Sequence, residues 1–510
     1  MAEHFDVVVV GAGISGIGAA YHLQANCPDR TFVILEGRER LGGTWDLFRY
    51  PGIRSDSDMY TLGYSFRPWR EAKAIADGPS ILRYLEETAA EYDVGRHIRY
   101  RHQVKRASWS SDDARWTVEA EIALAGGDAA RQGASDGASD GAGAAAVRFT
   151  CSFLFMCSGY YRYEAGYTPD FAGTDRFRGR IVHPQKWTDD IEYAGKRVVV
   201  IGSGATAVTL VPEMAVKAAH VTMLQRSPTY VVARPEEDAL ANWLRRRLPA
   251  MVAYRITRWK NVLMGMFFFN LSRKRPKVVK KAILDQVRSA LGPDYDVDTH
   301  FNPRYNPWDQ RMCLVPNGDL FATIRAGRAS VVTDHIETFT EKGIQLRSGE
   351  ELEADLIVTA TGLELQVLGG IELRVDGREV RPAEKLSYKG MMLSDVPNMA
   401  SAVGYTNASW TLKCDLTCEY VCRLLNYMRA HGYDQCTPRR NDPAIQEEPW
   451  LDFTSGYVQR SMHKFPKQGS KRPWRLHQNY LLDTLTLGYG RVNDGTMEFS
   501  SRAERSASVR

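Results

Sequence analysis

Two stretches of this chain combine glycine spacing with a charged residue at a fixed distance. Both suit the pyrophosphate of a dinucleotide. The first is Gly11-Ala12-Gly13-Ile14-Ser15-Gly16, preceded by Val7 to Val10 and followed by Ile17 to Leu23. It reads as buried strand, tight turn and helix start, with G-x-G-x-x-G spacing. Gly13 lets backbone N–H groups approach a pyrophosphate on the positive end of the helix dipole, and Gly16 lets helix and strand pack closely. A second strand, Phe32 to Leu35, ends in Glu36, whose carboxylate is placed to accept a ribose 2′-OH. The second stretch is Gly202-Ser203-Gly204-Ala205-Thr206-Ala207, led in by Val198 to Ile201. Its following strand, His220 to Leu224, closes on Gln225-Arg226-Ser227 without an acid. Loss of the acid and gain of Arg226 suit a 2′-phosphate, which points to NADPH rather than NADH.

These turns need parallel sheets with helices on their faces, so the expected fold is α/β, with two Rossmann-like dinucleotide-binding domains. A loop such as Gly42-Gly43-Thr44-Trp45 folds over a bound flavin in flavoprotein oxidoreductases. The first unit is therefore assigned to FAD, with Gly11, Gly13, Ser15, Gly16, Glu36, Gly43, Thr44, Trp45, Asp56 and Val104 as candidate contacts. NADPH is assigned to the second, with Gly202, Ser203, Gly204, Ala205, Thr206, Arg226 and Gln310. Residues 1–160 form the first part of the FAD domain and 161–365 the NADPH domain, with a helical insertion at 235–300. Residues 366–510 return to the FAD domain. A helix is expected over 80–92 and strands over 97–107 and 115–124.

The 510 residues, 44 % apolar and 25 % charged, describe an ordinary globular chain. A net charge of +5 suggests no general nucleic-acid role. Eight scattered cysteines fit a reducing cytoplasm, and no signal peptide is evident. Cys414, Cys418 and Cys422 lie on one helix face, but no His completes a tetrahedral set, so core packing is expected and no metal site. Residues 125–146, rich in Gly, Ala, Ser and Asp, are expected to form a mobile hairpin tip, and the tail from Ser500 to be disordered. Residues 239–284 carry twelve Lys/Arg and no Asp/Glu, interleaved with aromatic and aliphatic residues. The preferred reading packs the apolar side of this insertion on the nucleotide domain. The sharper one makes it a surface for anionic membrane, or the wall of a tunnel for apolar substrates.

Two further patterns carry a family resemblance. Gly42-Gly43-Thr44-Trp45 with Tyr50-Pro51-Gly52 and Asp56 resembles one fingerprint of the Baeyer–Villiger flavin monooxygenases. Phe177-Arg178-Gly179, His183 and Trp187 resemble the other, with Thr188 where that family usually has Pro or Asp. The runs His183 to Trp187 and Arg304 to Arg311 are similar to the ethionamide-activating branch. The resemblance implies an enzyme in which NADPH reduces FAD. Reduced flavin and O₂ then form a peroxyflavin that converts ketones to esters or lactones, and oxidises sulfides or thioamides. It also implies that Arg311 is the active-site cation, that Asp56 holds its guanidinium, and that His183 and Trp187 belong to the interdomain linker. For His183 a hinge role is preferred over a catalytic one.

Three rivals share parts of this pattern. A flavin disulfide reductase needs a redox Cys pair in the first domain, and none is present. An N/S-oxygenating flavin monooxygenase lacks the Tyr50–Asp56 element, and a non-enzymatic flavin-bound sensor has no need of Arg226. Physiological substrate and oligomeric state stay open at this level.

Overall fold

A computed structural model describes residues 2–123, 145–450, 455–502 and 504. The first sheet is organised on the strand Glu3–Val10, whose Val7, Val8 and Val9 are fully buried. It runs parallel to Phe32–Leu35 on one side and to the second half of Ala145–Met156 on the other. Apolar runs of this kind suit strands covered on both faces. The 12-residue strand Ala145–Met156 serves two ladders. Its first half pairs antiparallel with Arg115–Ile122, and its second half pairs parallel with Glu3–Val10 and Met399–Ser401. Met399–Ser401 and the helix Trp410–His431 bring the C-terminal part of the chain back to this unit, where the helix packs on Ile14–Asn26.

The second sheet is five-stranded and parallel, in the spatial order Ala329–Thr333, His220–Gln225, Arg197–Ile201, Leu356–Thr359, Arg180–Val182. The architecture is therefore α/β with two dinucleotide-type units. The expected helix over 80–92 spans Gly78–Glu91, capped by the Asp77 side chain. The expected strand over 97–107 is broken: Ile98–Arg99 joins the first sheet, and a turn with Arg101 at φ +62° precedes His102–Ser110. Arg115–Ile122 matches the other expected strand.

The insertion forms the helices Ala239–Arg245, Ala250–Lys274, Pro276–Leu291 and Val297–Phe301. Its packing includes the expected contact with the nucleotide domain and extends beyond it. Leu284, Val287 and Leu291 do join the core of the second unit. The long helix Ala250–Lys274 instead faces the first unit. Tyr254 donates to the Tyr64 carbonyl at 2.9 Å, and Val262 clusters with Tyr405 and Leu412. The buried Arg258 donates to the carbonyls of Tyr60 and Gly63 at 2.9 and 2.7 Å and lies 3.5 Å from Asp415. A buried guanidinium is tolerated only with such partners. Helical periodicity cannot reveal that a charged residue shares the inner face with Ala253, Tyr254 and Val262.

Ser500 is not the start of an unstructured tail, because Met497–Ser500 pairs antiparallel with Gln435–Pro438. The tail from 505 and the expected hairpin tip at 124–144 lie outside the described residues. No helix among the described residues is long and apolar enough to cross a membrane.

Candidate active site

Both glycine turns open onto one cleft of about 1960 Å³ between the two units. Every candidate residue named from the sequence lines this cleft except Gly16. Gly16 does a packing job, since a Cβ there would sit 1.8 Å from the Gly11 carbonyl oxygen. The helix Ile14–Asn26 starts at Gly13 without a side-chain cap, and Ala205–Met214 starts the same way at Gly204. Their first-turn N–H groups are thus left for an anion. Gly13 approaches Gly43 so closely that an added Cβ would lie 3.6 Å from its Cα, whereas a Cβ on Gly204 would meet nothing within 4 Å. The two cradles fit dinucleotide pyrophosphates.

Glu36 closes the first cradle. Its carboxylate accepts from the N–H groups of Ala12 at 2.7 Å and Arg38 at 2.9 Å. Burial pushes its pKa up, and these backbone donors oppose that rise. The carboxylate lines the cleft, and a carboxylate can accept more bonds than these two. The Ser15 hydroxyl accepts from Trp410 Nε1 at 2.9 Å and lies 3.4 Å from Cys414 Sγ. Its backbone N–H, rather than its hydroxyl, is left to face a ligand.

In the second cradle, Ser203 donates from its hydroxyl to the Ser227 carbonyl at 3.1 Å. Gln225 is committed to the fold, donating to the His300 carbonyl at 2.7 Å and to Thr333 at 2.9 Å. Arg226 is exposed at the strand end. Asp334, on the cleft wall, accepts from the N–H groups of His335 and Ser348 at 2.6 and 3.1 Å, and the Ser348 side chain together with these donors holds its carboxyl below the usual range. The sequence reading did not identify this second acid, because it follows a strand that is distant in the chain.

The Arg311 guanidinium grips Asp56 with two contacts, Nε to Oδ2 at 2.9 Å and Nη2 to Oδ1 at 3.2 Å. Asp56 is the main reason that Arg311 is held more firmly charged than an ordinary arginine, against the cost of desolvation. The Arg311 loop is braced from the insertion. Phe269 meets Trp308 edge-on at 5.5 Å, and Arg273 pairs with Asp309 at 3.0 Å. Gln310 lies in the same loop and also lines the cleft.

Tyr160, Tyr161, Tyr163, Trp410 and Tyr457 carried no signal in the sequence, whereas Tyr50 and Gln185 stand within the motifs that carry the resemblance. Tyr160 stacks on Trp410 at 4.8 Å and shares a 2.6 Å hydrogen bond with Tyr161. Burial pushes Tyr50, Tyr163 and Tyr457 up to about 12. Tyr50 bonds to Thr206 and so ties the first fingerprint to the second glycine turn. Gln185 donates to the carbonyls of Arg162 and Tyr163 at 2.8 Å, while its buried Oε1 has no protein partner.

His183 sits on the linker with both ring nitrogens engaged. Nε2 donates to the Gly362 carbonyl at 3.1 Å, and Nδ1 accepts from the Gln185 N–H at 3.2 Å. Burial lowers its pKa, which favours this neutral ring. Trp187 is half-buried, 6.1 Å edge-on from Tyr193. Cys414, Cys418 and Cys422 are buried in the helix Trp410–His431, and no group of three metal-ligating side chains occurs among the described residues.

Beyond Arg311 lies a smaller chamber, walled by Trp450, Tyr457, Val458, Phe465 and Leu476. Its polar floor is a buried pair, Lys413 and Asp483 at 2.8 Å, with Tyr405 donating to Asp483 at 2.7 Å.

Comparison with known proteins agrees with this layout. Residues 75–368 match the flavin-binding monooxygenase-like family, and residues 9–77 match an NAD(P)-binding Rossmann-like domain. The chain is 54 % identical over 503 residues to the FAD-containing monooxygenase EthA of Mycobacterium tuberculosis, covering 98 % of this chain and 99 % of that protein. It is 50 % identical to the putative FAD-containing monooxygenase MymA of the same species, over the full length of both. Among solved structures, OTEMO in complex with FAD and NADP superposes with a TM-score of 0.72 at 20 % identity, covering 98 % of this chain and all of that one.

Proposed function

The chain belongs to the flavin-binding monooxygenase-like family, and from that premise we propose a Baeyer–Villiger monooxygenase that uses FAD, NADPH and O₂. The reaction converts a ketone, O₂, NADPH and a proton into an ester or lactone, NADP⁺ and water. Sulfides and thioamides would be oxidised at sulfur. When bound, the flavin takes two electrons from NADPH and passes them to O₂.

The chain's own residues supply the rest. The first cradle, with Gly11, Gly13, Glu36 and the Gly43–Trp45 turn, would hold FAD. Gly202 to Thr206, with Arg226 on the 2′-phosphate, would hold NADPH. Val104 and Gln310 complete the two sets. Arg311 would offer a fixed guanidinium to negative charge that develops as oxygen is activated, and Asp56 would keep that fork aimed. The small chamber beyond Arg311, with apolar walls over the Lys413–Asp483 floor, would extend the cleft on the side where an uncharged substrate could approach the guanidinium. His183, with both nitrogens occupied, fits a linker role better than proton transfer. We place the domain boundaries at 160 and 365, and the passage of the chain between the two sheets after Met156 and after Thr359 supports this division.

The observation that carries the reading is the two-contact Arg311–Asp56 pair on a cleft shared by both cradles. The test is aerobic product analysis with NADPH and a panel of ketones, sulfides and thioamides. Esters or lactones formed in proportion to NADPH consumed are expected. Sulfur oxidation with no ketone conversion would reduce the reading to an N/S-oxygenating flavin monooxygenase. NADPH consumption yielding only hydrogen peroxide across the panel would defeat it.

A further inference from the structure

The helix Ala250–Lys274 is apolar on both faces. Its buried face carries Ala253, Tyr254 and Val262 beside Thr257 and Arg258. Its outer face presents Val252, Ile256, Trp259, Leu263 and Phe267, between 41 % and 69 % exposed. These five recur at helical spacing and so form one stripe over about four turns. The stripe does not end with the helix. Trp259 lies 5.6 Å from Tyr480, next to the segment that exposes Leu481, Leu485 and Tyr489. An apolar stripe of this length on a water-exposed surface marks a contact site.

The charge around it identifies the partner. Across residues 239–284 there are twelve Lys/Arg and no Asp/Glu. Seven of them cluster off the two ends of the stripe, at Arg245 to Arg247 and at Arg273 to Lys277. Some are used internally: Lys260 pairs with Asp238, Arg258 with Asp415, Arg273 with Asp309 and Lys281 with Asp285. Arg246, Arg255, Lys274, Arg275 and Lys277 make no ion pair among the described residues. An aromatic and aliphatic stripe flanked by uncompensated cations matches a helix lying flat in an anionic lipid interface.

We propose that this face docks on the surface of an anionic bilayer, with the helix Ala250–Lys274 parallel to the membrane plane. The inner side of the same helix contributes Val262 to the cluster holding Tyr405, which also walls the chamber beyond Arg311. Docking would therefore set the lipid surface one helix away from that chamber.

The test uses the full chain and co-sedimentation with phosphatidylcholine vesicles prepared with and without phosphatidylglycerol. A Leu263→Glu/Phe267→Glu double variant is run beside the unmodified protein, with melting temperature and light scattering recorded for both. The expected result is pelleting that requires phosphatidylglycerol, weakens with salt, and falls about tenfold or more in the variant at unchanged melting temperature. Absence of pelleting at low salt, or equal pelleting of both proteins, overturns the proposal. So does a dimer of the unmodified protein that the variant dissociates, which would give this face to a second copy of the chain.

Discussion

If Arg311 is the cation proposed above, replacing it with alanine should separate electron uptake from oxygen transfer. Electron uptake from NADPH develops no negative charge that needs a fixed cation at Arg311, and the glycine cradles bind through backbone N–H groups, so NADPH consumption should persist. Oxygen transfer needs a cation that is already in place when negative charge develops. In this structure it is preorganised, because Asp56 holds Nε and Nη2 at 2.9 and 3.2 Å and the loop is braced by Trp308 and Asp309. Removing one such electrostatic partner typically costs ~10²–10³ in rate, or about 3 kcal/mol. Arg311→Ala should therefore consume NADPH and release hydrogen peroxide in place of oxygenated product. Arg311→Lys should rescue poorly, because an ammonium cannot reproduce the two-point fork. Asp56→Ala should show a milder version, since the guanidinium remains but loses its anchor. The assay is the ratio of product to NADPH consumed, with peroxide measured in parallel. If Arg311→Ala keeps the unmodified ratio, the reasoning fails. The neighbouring Arg304 offers no substitute, because it is exposed and does not line the cleft.

Other expectations follow from the same geometry. Gly13→Val should yield a folded but colourless protein, since a Cβ at Gly13 makes only ordinary contact with Gly43 and the valine side chain would instead fill the space a pyrophosphate needs to reach the backbone N–H groups; retention of full FAD absorbance would contradict this. Arg226→Ala should raise the KM for NADPH by about tenfold and leave NADH use unchanged, as expected for one lost charge-assisted contact; equal use of both cofactors by the unmodified protein would remove its basis. The pKa of His183 is lowered in the fold from its ordinary 6.5, so between that lowered value and 6.5 the unfolded chain binds more protons. The contribution of its neutral ring is thus complete above pH 6.5 and is lost as pH falls below it. The melting temperature of the unmodified protein should fall more steeply on acidification than that of His183→Gln, and parallel curves would refute this.

The local grammar of the chain was legible without coordinates. A valine run, a glycine turn and a helix start lie within a few turns of backbone, so their spacing alone specifies a cradle, and Glu36 and Arg226 stand at strand ends that the same spacing predicts. The Arg311–Asp56 contact was legible only through family resemblance, because no local rule joins residues so far apart. What tertiary structure decided is which distant side chains share a space. Tyr160, Trp410 and Tyr457 come from three separate parts of the chain yet surround or adjoin Arg311, and nothing in their local sequence marks them. Gln225 looks like a ligand residue beside Arg226 but spends its amide on His300 and Thr333. The insertion makes the point most directly. Its periodicity allows a helix with two faces, but which face is core depends on what lies opposite. Here backbone carbonyls and Asp415 of the first unit accept the Arg258 guanidinium, so Arg258 turns inward beside Tyr254 and Val262 and a second apolar stripe is left facing out.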